Sequence, residues 1–396
     1  MLNPFNASSL INLRYQSYVI IFLTALICGC TVFHENRLQL QTKINHFRTE
    51  VIPFSYVKKL IVVEATANSQ TRRKFIFDTG AFQSKIEYRL SEQLKLKKEY
   101  SRVNGTAQGI SKRIHITSID SIKLSSATYY EVGAGILHYS PDSYSQCVAE
   151  SGIIGSNLIK LSNWKIDYKN QLLTLSEKPI HPRKSAKTIP IKFKTTYLSG
   201  VPLIDLNFEG QVIKDVIIDL GYNGGIMVPK KYASAFPLSE TEKVVDQSTA
   251  GIFGSNRDDI DIKYLNLNLG DRTIRIPVKF STRDKALIGN DFLEHFTIYL
   301  DYQNEVINFE VVSKVEIDQS KAFIPGILND TLWIVDRVNS HIPLSVGDTL
   351  QSVDGYQPKD IFESNCDYFM NISKLIDKDS LVVKSLDSKV SVIKMF

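Results

Sequence analysis

Phe75-Ile76-Phe77-Asp78-Thr79-Gly80-Ala81 is an apolar run that ends in an aspartate and a small-residue turn, and Val216-Ile217-Ile218-Asp219-Leu220-Gly221 does the same farther along the chain. The likeness extends outward from both. Gly152-Ile153-Ile154-Gly155-Ser156-Asn157-Leu158 follows the first aspartate, and Ala286-Leu287-Ile288-Gly289-Asn290-Asp291-Phe292-Leu293 follows the second. Farther on stand Trp164-Lys165-Ile166-Asp167-Tyr168-Lys169-Asn170 and Ile298-Tyr299-Leu300-Asp301-Tyr302-Gln303-Asn304, each with an Asp-Tyr-x-Asn turn. The aspartates lie 141 positions apart (78 to 219), and the later pairs 134 apart (155 to 289, 167 to 301). Val51-Ile52-Pro53-Phe54 and Thr188-Ile189-Pro190-Ile191 open the two units. A slip of seven residues is loop variation within a duplicated fold. Two carboxylates brought together by such a duplication suit acid–base hydrolysis of a peptide bond, because one holds a shared proton while the other activates water.

Composition narrows the alternatives. A chain of 396 residues suggests two or three domains. A hydrophobic fraction of 43% and a charged fraction of 22% are those of a folded chain. The net charge of +5 is small and its basic residues are scattered, which does not favour nucleic acid. The seven histidines are scattered too, without Cys-x-x-Cys or His-Glu-x-x-His, so neither a metal nor any other cofactor is expected. No Gly-x-Ser-x-Gly elbow occurs. Gly221-Tyr222-Asn223-Gly224-Gly225 leads into a strand-like Ile226-Met227-Val228-Pro229, whereas a phosphate loop needs a helix there.

Strands are expected over Leu60–Thr66, Lys74–Phe77, Ile114–Ile122, Gln171–Leu175, Val201–Leu206 and Val212–Ile218, all rich in β-branched and aromatic residues. Short helices are expected near Glu87–Leu96, Pro229–Phe236 and Gly289–His295. The proline- and charge-bearing Glu177–Lys187 reads as a linker between the repeats. Each repeat carries a small-residue segment between strands, Gly105-Thr106-Ala107-Gln108-Gly109-Ile110 and Ser248-Thr249-Ala250-Gly251-Ile252-Phe253-Gly254. Gly105, Gly109, Gly251 and Gly254 suit mobile hairpin tips, or plain exposed turns.

At the N-terminus the apolar stretch Tyr18–Ile27 is short for a membrane span and right for a signal-peptide core. It ends in Ile27-Cys28-Gly29-Cys30, which resembles a bacterial lipobox and implies lipid attachment at Cys30. The alternative is an ordinary signal peptide or a short anchor helix; each reading exports the body of the chain. If Cys30 is lipidated and Cys28 is cleaved away, Cys147 and Cys366 remain, in different expected domains; they could pair, but two buried or idle thiols are the favoured reading.

Asp78-Thr79-Gly80-Ala81, followed by a glycine-bearing hairpin and Ile153-Ile154-Gly155, resembles the retropepsin and pepsin group of aspartic proteases. Two such units over residues 49–312 are similar to the bilobal pepsin arrangement. The expected fold is mainly β: a bilobal pepsin/retropepsin-like β-barrel fold followed by a small β domain. The resemblance implies that Asp78 and Asp219 meet across the lobe interface, share a proton and activate water without a covalent intermediate. It implies an extended polypeptide substrate held by flap strands, and a monomer, since one chain supplies both aspartates. Gly80 and Gly221 would permit the tight turn after each aspartate. Leu220 departs from the family's Thr or Ser, whose hydroxyls bond across the lobes; a catalytically degenerate, peptide-binding scaffold is the rival reading.

Val346-Gly347-Asp348-Thr349-Leu350-Gln351-Ser352-Val353-Asp354-Gly355 resembles the Gly-Asp-x-Ile-x-x-Val-Asn-Gly segment of PDZ domains. That resemblance implies capture of a peptide C-terminus as an added strand. The expected organisation is a lipoprotein signal peptide over 1–29, a tether over 30–48, lobes over 49–178 and 188–312 joined by 179–187, and the PDZ-like unit over 313–396. The protein is expected in the bacterial cell envelope, held to a membrane by its lipid.

Overall fold

The computed structural model describes residues 38–396, apart from 39, 46–47, 184–185, 237–240, 318 and 330. The signal-peptide stretch and Cys30 lie outside the described residues.

Each repeat closes into a six-stranded ring. In the first, Ala127–Leu137, Ser84–Glu87, Gly152–Ile154, Arg73–Phe77, Leu60–Ala67 and Ser111–Leu124 pair in that order, and the last returns to the first. In the second, Arg272–Ser281, Ile226–Pro229, Leu287–Ile288, Gln211–Ile218, Pro202–Phe208 and Asp258–Leu269 do likewise. Closure removes the free edges that an open sheet would expose. The short strand after each aspartate-bearing strand is buried on both faces, which explains its unbroken apolar sequence. It lies parallel to the aspartate strand in the same register in both units: Ile153 opposite Ile76, and Leu287 opposite Ile217.

A third sheet joins the rings. Its order is Thr188–Lys192, Val306–Val311, Phe296–Asp301, Asn163–Asp167, Leu172–Ser176 and Glu50–Pro53, three strands from each repeat. At its centre Lys165 faces Tyr299, while Trp164 faces Leu300 and Ile166 faces Ile298. That crossed pairing is a two-fold relation through Lys165 and Tyr299. One apolar core runs through both rings, with Phe77 against Trp164 at 4.9 Å. The repeated turns also match: Asn170 N–H donates to Asp167 Oδ1 at 3.1 Å, and Asn304 N–H to Asp301 Oδ1 at 2.9 Å.

Two expectations need correction. The end of the expected tether is part of the first ring, because Lys43–Ile44 pairs with Ala127–Leu137 and Leu38 is buried beside Ile114, Ile116 and Leu137. Its strand pairing and two apolar side chains, Leu38 and Ile44, hold it there. Second, Cys147 and Cys366 are not idle thiols: they form a disulfide, with Cα atoms 5.3 Å apart.

The C-terminal residues make a small unit of five strands and three short helices around Trp333, Phe323 and Tyr368. The bridge ties its helix Asn365–Asn371 to the short helix Ser145–Val148 of the first lobe, where Tyr144 stacks on Phe369 at 4.8 Å. Its strand Leu332–Asn339 pairs with Glu242–Asp246 of the second lobe, and the Arg337 guanidinium donates to the buried Asp246 carboxylate at 2.8 Å. Burial works against the Asp246 charge, yet Arg337 and Ser248 hold its carboxyl below the ordinary range. The unit is thus fastened to both lobes. Closing a loop across 219 positions is worth up to about 5 kcal/mol in the chain-entropy account. Cys366→Ser is therefore expected to lower the melting temperature and to loosen the C-terminal unit from the first lobe, read as faster hydrogen exchange in Asn365–Asn371. A melt unchanged by reductant would show that strand pairing and the Arg337–Asp246 pair hold the unit unaided.

Candidate active site

The structure brings Asp78 and Asp219 together, each on the turn that leaves its strand. Asp78 N–H donates to Ile154 O at 3.0 Å, and Asp219 N–H donates to Ile288 O at 2.9 Å. Each aspartate backbone is therefore pinned by the parallel strand beside it. The two carboxyls hydrogen-bond one another. A Cβ on Gly80 would strike the Asp219 carboxyl, and one on Gly221 would strike the Asp78 carboxyl. The glycines thus serve the approach of the opposite carboxyl, and neither has the left-handed φ expected of a tight turn. The glycine of each Ile-Gly segment also admits close backbone: a Cβ on Gly155 would meet Gln83 C and Ser84 N, and one on Gly289 the carbonyls of Tyr222 and Gly224.

Thr79 is buried and bonds across the lobes. Its hydroxyl donates to Ile218 O at 2.6 Å and accepts from Leu220 N–H at 3.0 Å. Leu220 returns no such bond; its side chain is 1% exposed in the shared apolar core. A residue that sequence reasoning missed supplies further cross-lobe bonds. Asn290 Nδ2 donates across to Lys59 O at 2.7 Å and its Oδ1 accepts from the Tyr168 hydroxyl at 2.7 Å, while Nδ2 also donates to Leu220 O of its own lobe at 2.8 Å. The matching residue of the first lobe, Ser156, donates its hydroxyl to Thr79 O within its own lobe at 2.6 Å. The signal was present in the pairing of Gly155-Ser156 with Gly289-Asn290, where the second repeat carries the longer side chain. Lys59 also pairs with Asp291 and Glu294 across the interface.

Burial pushes Asp78 above the ordinary carboxyl range, countered by the Lys85 charge and by the N–H of Ala81, which donates at 2.7 Å. Burial and then the Asp78 charge push Asp219 well above it, countered by the Gly221 N–H at 2.9 Å. The arrangement therefore holds one proton on the pair, with Asp219 the better proton holder.

A cavity of about 130 Å³ lies over the carboxyls. Gly105 to Gln108 of the first lobe and Gly251 and Ile252 of the second line it, with Ser145, Lys85 and Lys285. Gly109 and Gly254 do not line it; both have positive φ (75° and 104°) and serve the turns themselves. A larger cleft of about 590 Å³ on the first lobe, beside Val62, Glu64 and Arg72, contains neither aspartate.

The second glycine-bearing segment is no free hairpin tip. Ala250–Gly251 and Gly254–Ser255 form a two-residue ladder that crosses to the first lobe. Phe253 at its tip is 3% exposed, seated with Ile114, Ile116 and Leu137, while Ile252 O accepts from Ser140 N–H at 3.1 Å. Asp142 Oδ2 accepts from Ser255 N–H at 3.0 Å, and the Gln108 side chain of the other segment lies against Gly251. The buried phenylalanine overrides the mobility that the glycines suggest. Phe253→Ala is expected to speed hydrogen exchange at residues 249–256 by at least about ten-fold, since a seated aromatic contributes several kcal/mol. Unchanged exchange would mean that the polar bonds suffice.

No curated protein matches the chain. Residues 63–158 match the family model described as Aspartyl protease, a stretch that runs from the strand before Arg73–Phe77 to the helix after Gly155 and makes the first lobe an aspartyl protease-like domain.

Proposed function

We propose that the protein is an exported, lipid-anchored aspartic endopeptidase that cleaves peptide bonds with a water activated between Asp78 and Asp219. The observation that carries this reading is the paired geometry: two hydrogen-bonded carboxyls, Asp219 buried and Asp78 half-buried, each set by the same backbone bond and each resting on the opposite glycine. Asp78, with two backbone N–H groups and the Lys85 charge favouring its ionised form, takes a proton from the water. Asp219 gives its proton to the scissile carbonyl as the water oxygen adds to the carbon. Collapse of the tetrahedral diol breaks the C–N bond as one hydroxyl proton returns to Asp219 and the proton taken by Asp78 passes to the leaving amine. Substrate enters as an extended chain between the segments at 105–108 and 251–252. A cavity of about 130 Å³ is smaller than the roughly 300 Å³ of ordinary ligand sites, so the segment at 105–108 moves away from the anchored 251–252 to admit it.

The disulfide supports export, because such bridges persist in oxidising compartments. A lipid on Cys30 then holds the protein to a membrane of the bacterial envelope. The C-terminal unit is read as a PDZ-like module that recruits substrate or partner. One chain supplies both carboxyls, which favours a monomer.

The test is cleavage of an unbiased peptide mixture by the chain, by Asp78→Asn and by Asp219→Asn. New products from the parent alone are expected; the same profile from all three sinks the enzyme reading and leaves a peptide-binding scaffold. The pH profile is a second check. Activity needs the pair singly protonated, so it rises as the first proton leaves and falls as the second does. Both carboxyls are raised, so both limbs are expected above the ordinary aspartate value of 3.8, with the optimum displaced towards neutrality. An optimum below that value would contradict the burial of the pair.

A further inference from the structure

We propose that the cavity over the two aspartates is a subsite for an acidic side chain, aspartate or glutamate, flanking the scissile bond and held by the ammonium groups of Lys85 and Lys285. The proposal rests on the endopeptidase reading of the same site and names its substrate class.

Apart from the aspartates, the charged residues lining the cavity are these two lysines, one from each lobe. Lys85 lies on the strand Ser84–Glu87, opposite Ile153, and is 5% exposed. The matching position of the second ring, opposite Leu287, is Met227. A lysine thus stands where the duplicated fold accepts an apolar side chain, so the scaffold does not require a charge there. Among the described residues the ammonium of Lys85 has one hydrogen-bond partner, Gln83 O at 3.2 Å, and no carboxylate within ion-pair distance. Leu60, Ile76, Ala81 and Ile153 make the wall beside it. An ammonium so placed has lost water and retains unused donors, a costly state that an incoming carboxylate relieves. The aspartate pair, sharing a proton, carries a single negative charge against two positive ones, leaving the cavity cationic. Lys285 is exposed at its rim, next to the buried Ala286 and Leu287. Burial lowers Lys85 to about 8, with Asp78 opposing and Arg102 and Lys285 adding to the shift, so it stays charged from acid to neutral pH.

The test uses the full chain in detergent and matched extended peptides with Glu, Gln or Lys beside the cut bond. The parent is expected to favour Glu over Gln by at least about ten-fold in kcat/KM, through KM, as a charged hydrogen bond to a buried ammonium implies. Lys85→Met should bring the Glu-to-Gln ratio towards one. Lys285→Glu, a substitution at an exposed position, should lower that ratio and raise cleavage of the Lys peptide relative to Glu. A parent ratio near one, or a ratio unmoved by either change, overturns the proposal. So does a Lys85→Met variant that shifts the pH profile at an unchanged ratio, which would make Lys85 only a counter-charge to Asp78. Binding of the same peptides to Asp219→Asn separates the two readings. Glu-selective, Lys85-dependent binding without cleavage by the parent upholds the acidic subsite and sinks the endopeptidase. Cleavage without acidic preference does the reverse, and neither binding nor cleavage removes both.

Discussion

Gly221→Ala is expected to lower kcat by about 10²-fold or more on any peptide the protein cleaves, with Gly80→Ala behaving alike. The added methyl would occupy the space of the Asp78 carboxyl in the first case and the Asp219 carboxyl in the second. Reacting groups displaced by about 1 Å lose rates of that order. Neither glycine has a positive φ, so alanine meets no backbone strain and the effect isolates the close approach of the carboxyls. Overpacking adds a stability cost of about 1–3 kcal/mol, which thermal melts would report separately. Gly210→Ala provides the contrast: its φ is 88° with open space around the site, so it should cost about 1 kcal/mol of stability and leave kcat alone. If Gly221→Ala retained full activity, the carboxyl pair would not be the reacting centre.

The second large effect concerns stability. Thr79→Val keeps the shape of the side chain but removes the hydroxyl shared by Ile218 O and Leu220 N–H, leaving two backbone groups unpaired in a buried interface. Each such group costs about 1–3 kcal/mol, so the change should lower the unfolding free energy by about 2–6 kcal/mol, read from the urea midpoint. A conventional pair of crossing hydroxyls would divide that burden. Here Leu220 contributes only packing, which concentrates the dependence on Thr79 and on Asn290. A loss below about 0.5 kcal/mol would mean that Asn290 and the shared core hold the lobes without the threonine.

Much of the scaffold was legible because duplication writes the same contacts twice. The aspartate runs, the Ile-Gly segments and the Asp-Tyr-x-Asn turns repeat in order, and all sit at matching places in the two rings and the joining sheet. The expected short helices near 88, 230 and 290 are present at Tyr88–Gln93, Lys230–Ala235 and Asn290–Leu293. What escaped notice depends on contacts between distant residues. Cys147 and Cys366 lie 219 positions apart, and spacing alone says nothing of their meeting. Phe253 looks like one more apolar residue in a glycine-rich turn, and only the first lobe's Ile114, Ile116 and Leu137 make it an anchor. Lys85 sits seven positions beyond Asp78, outside the aspartate motif, and its place in the cavity follows from ring closure rather than from local pattern.

The two-fold relation through Lys165 and Tyr299 bears on the direction of the substrate. A polypeptide is polar, with distinct N- and C-terminal ends, whereas a strictly symmetric cleft would receive it and its reverse with equal ease. The two halves around this cleft differ: a lysine at 85 lines it where the second ring has a buried methionine at 227, and beneath it threonine at 79 stands against leucine at 220. The second lobe sends a buried phenylalanine, Phe253, over to the first. The symmetry that brings the carboxyls together is therefore broken around them, and under the proposed endopeptidase reading an extended substrate is expected to bind with a single favoured polarity.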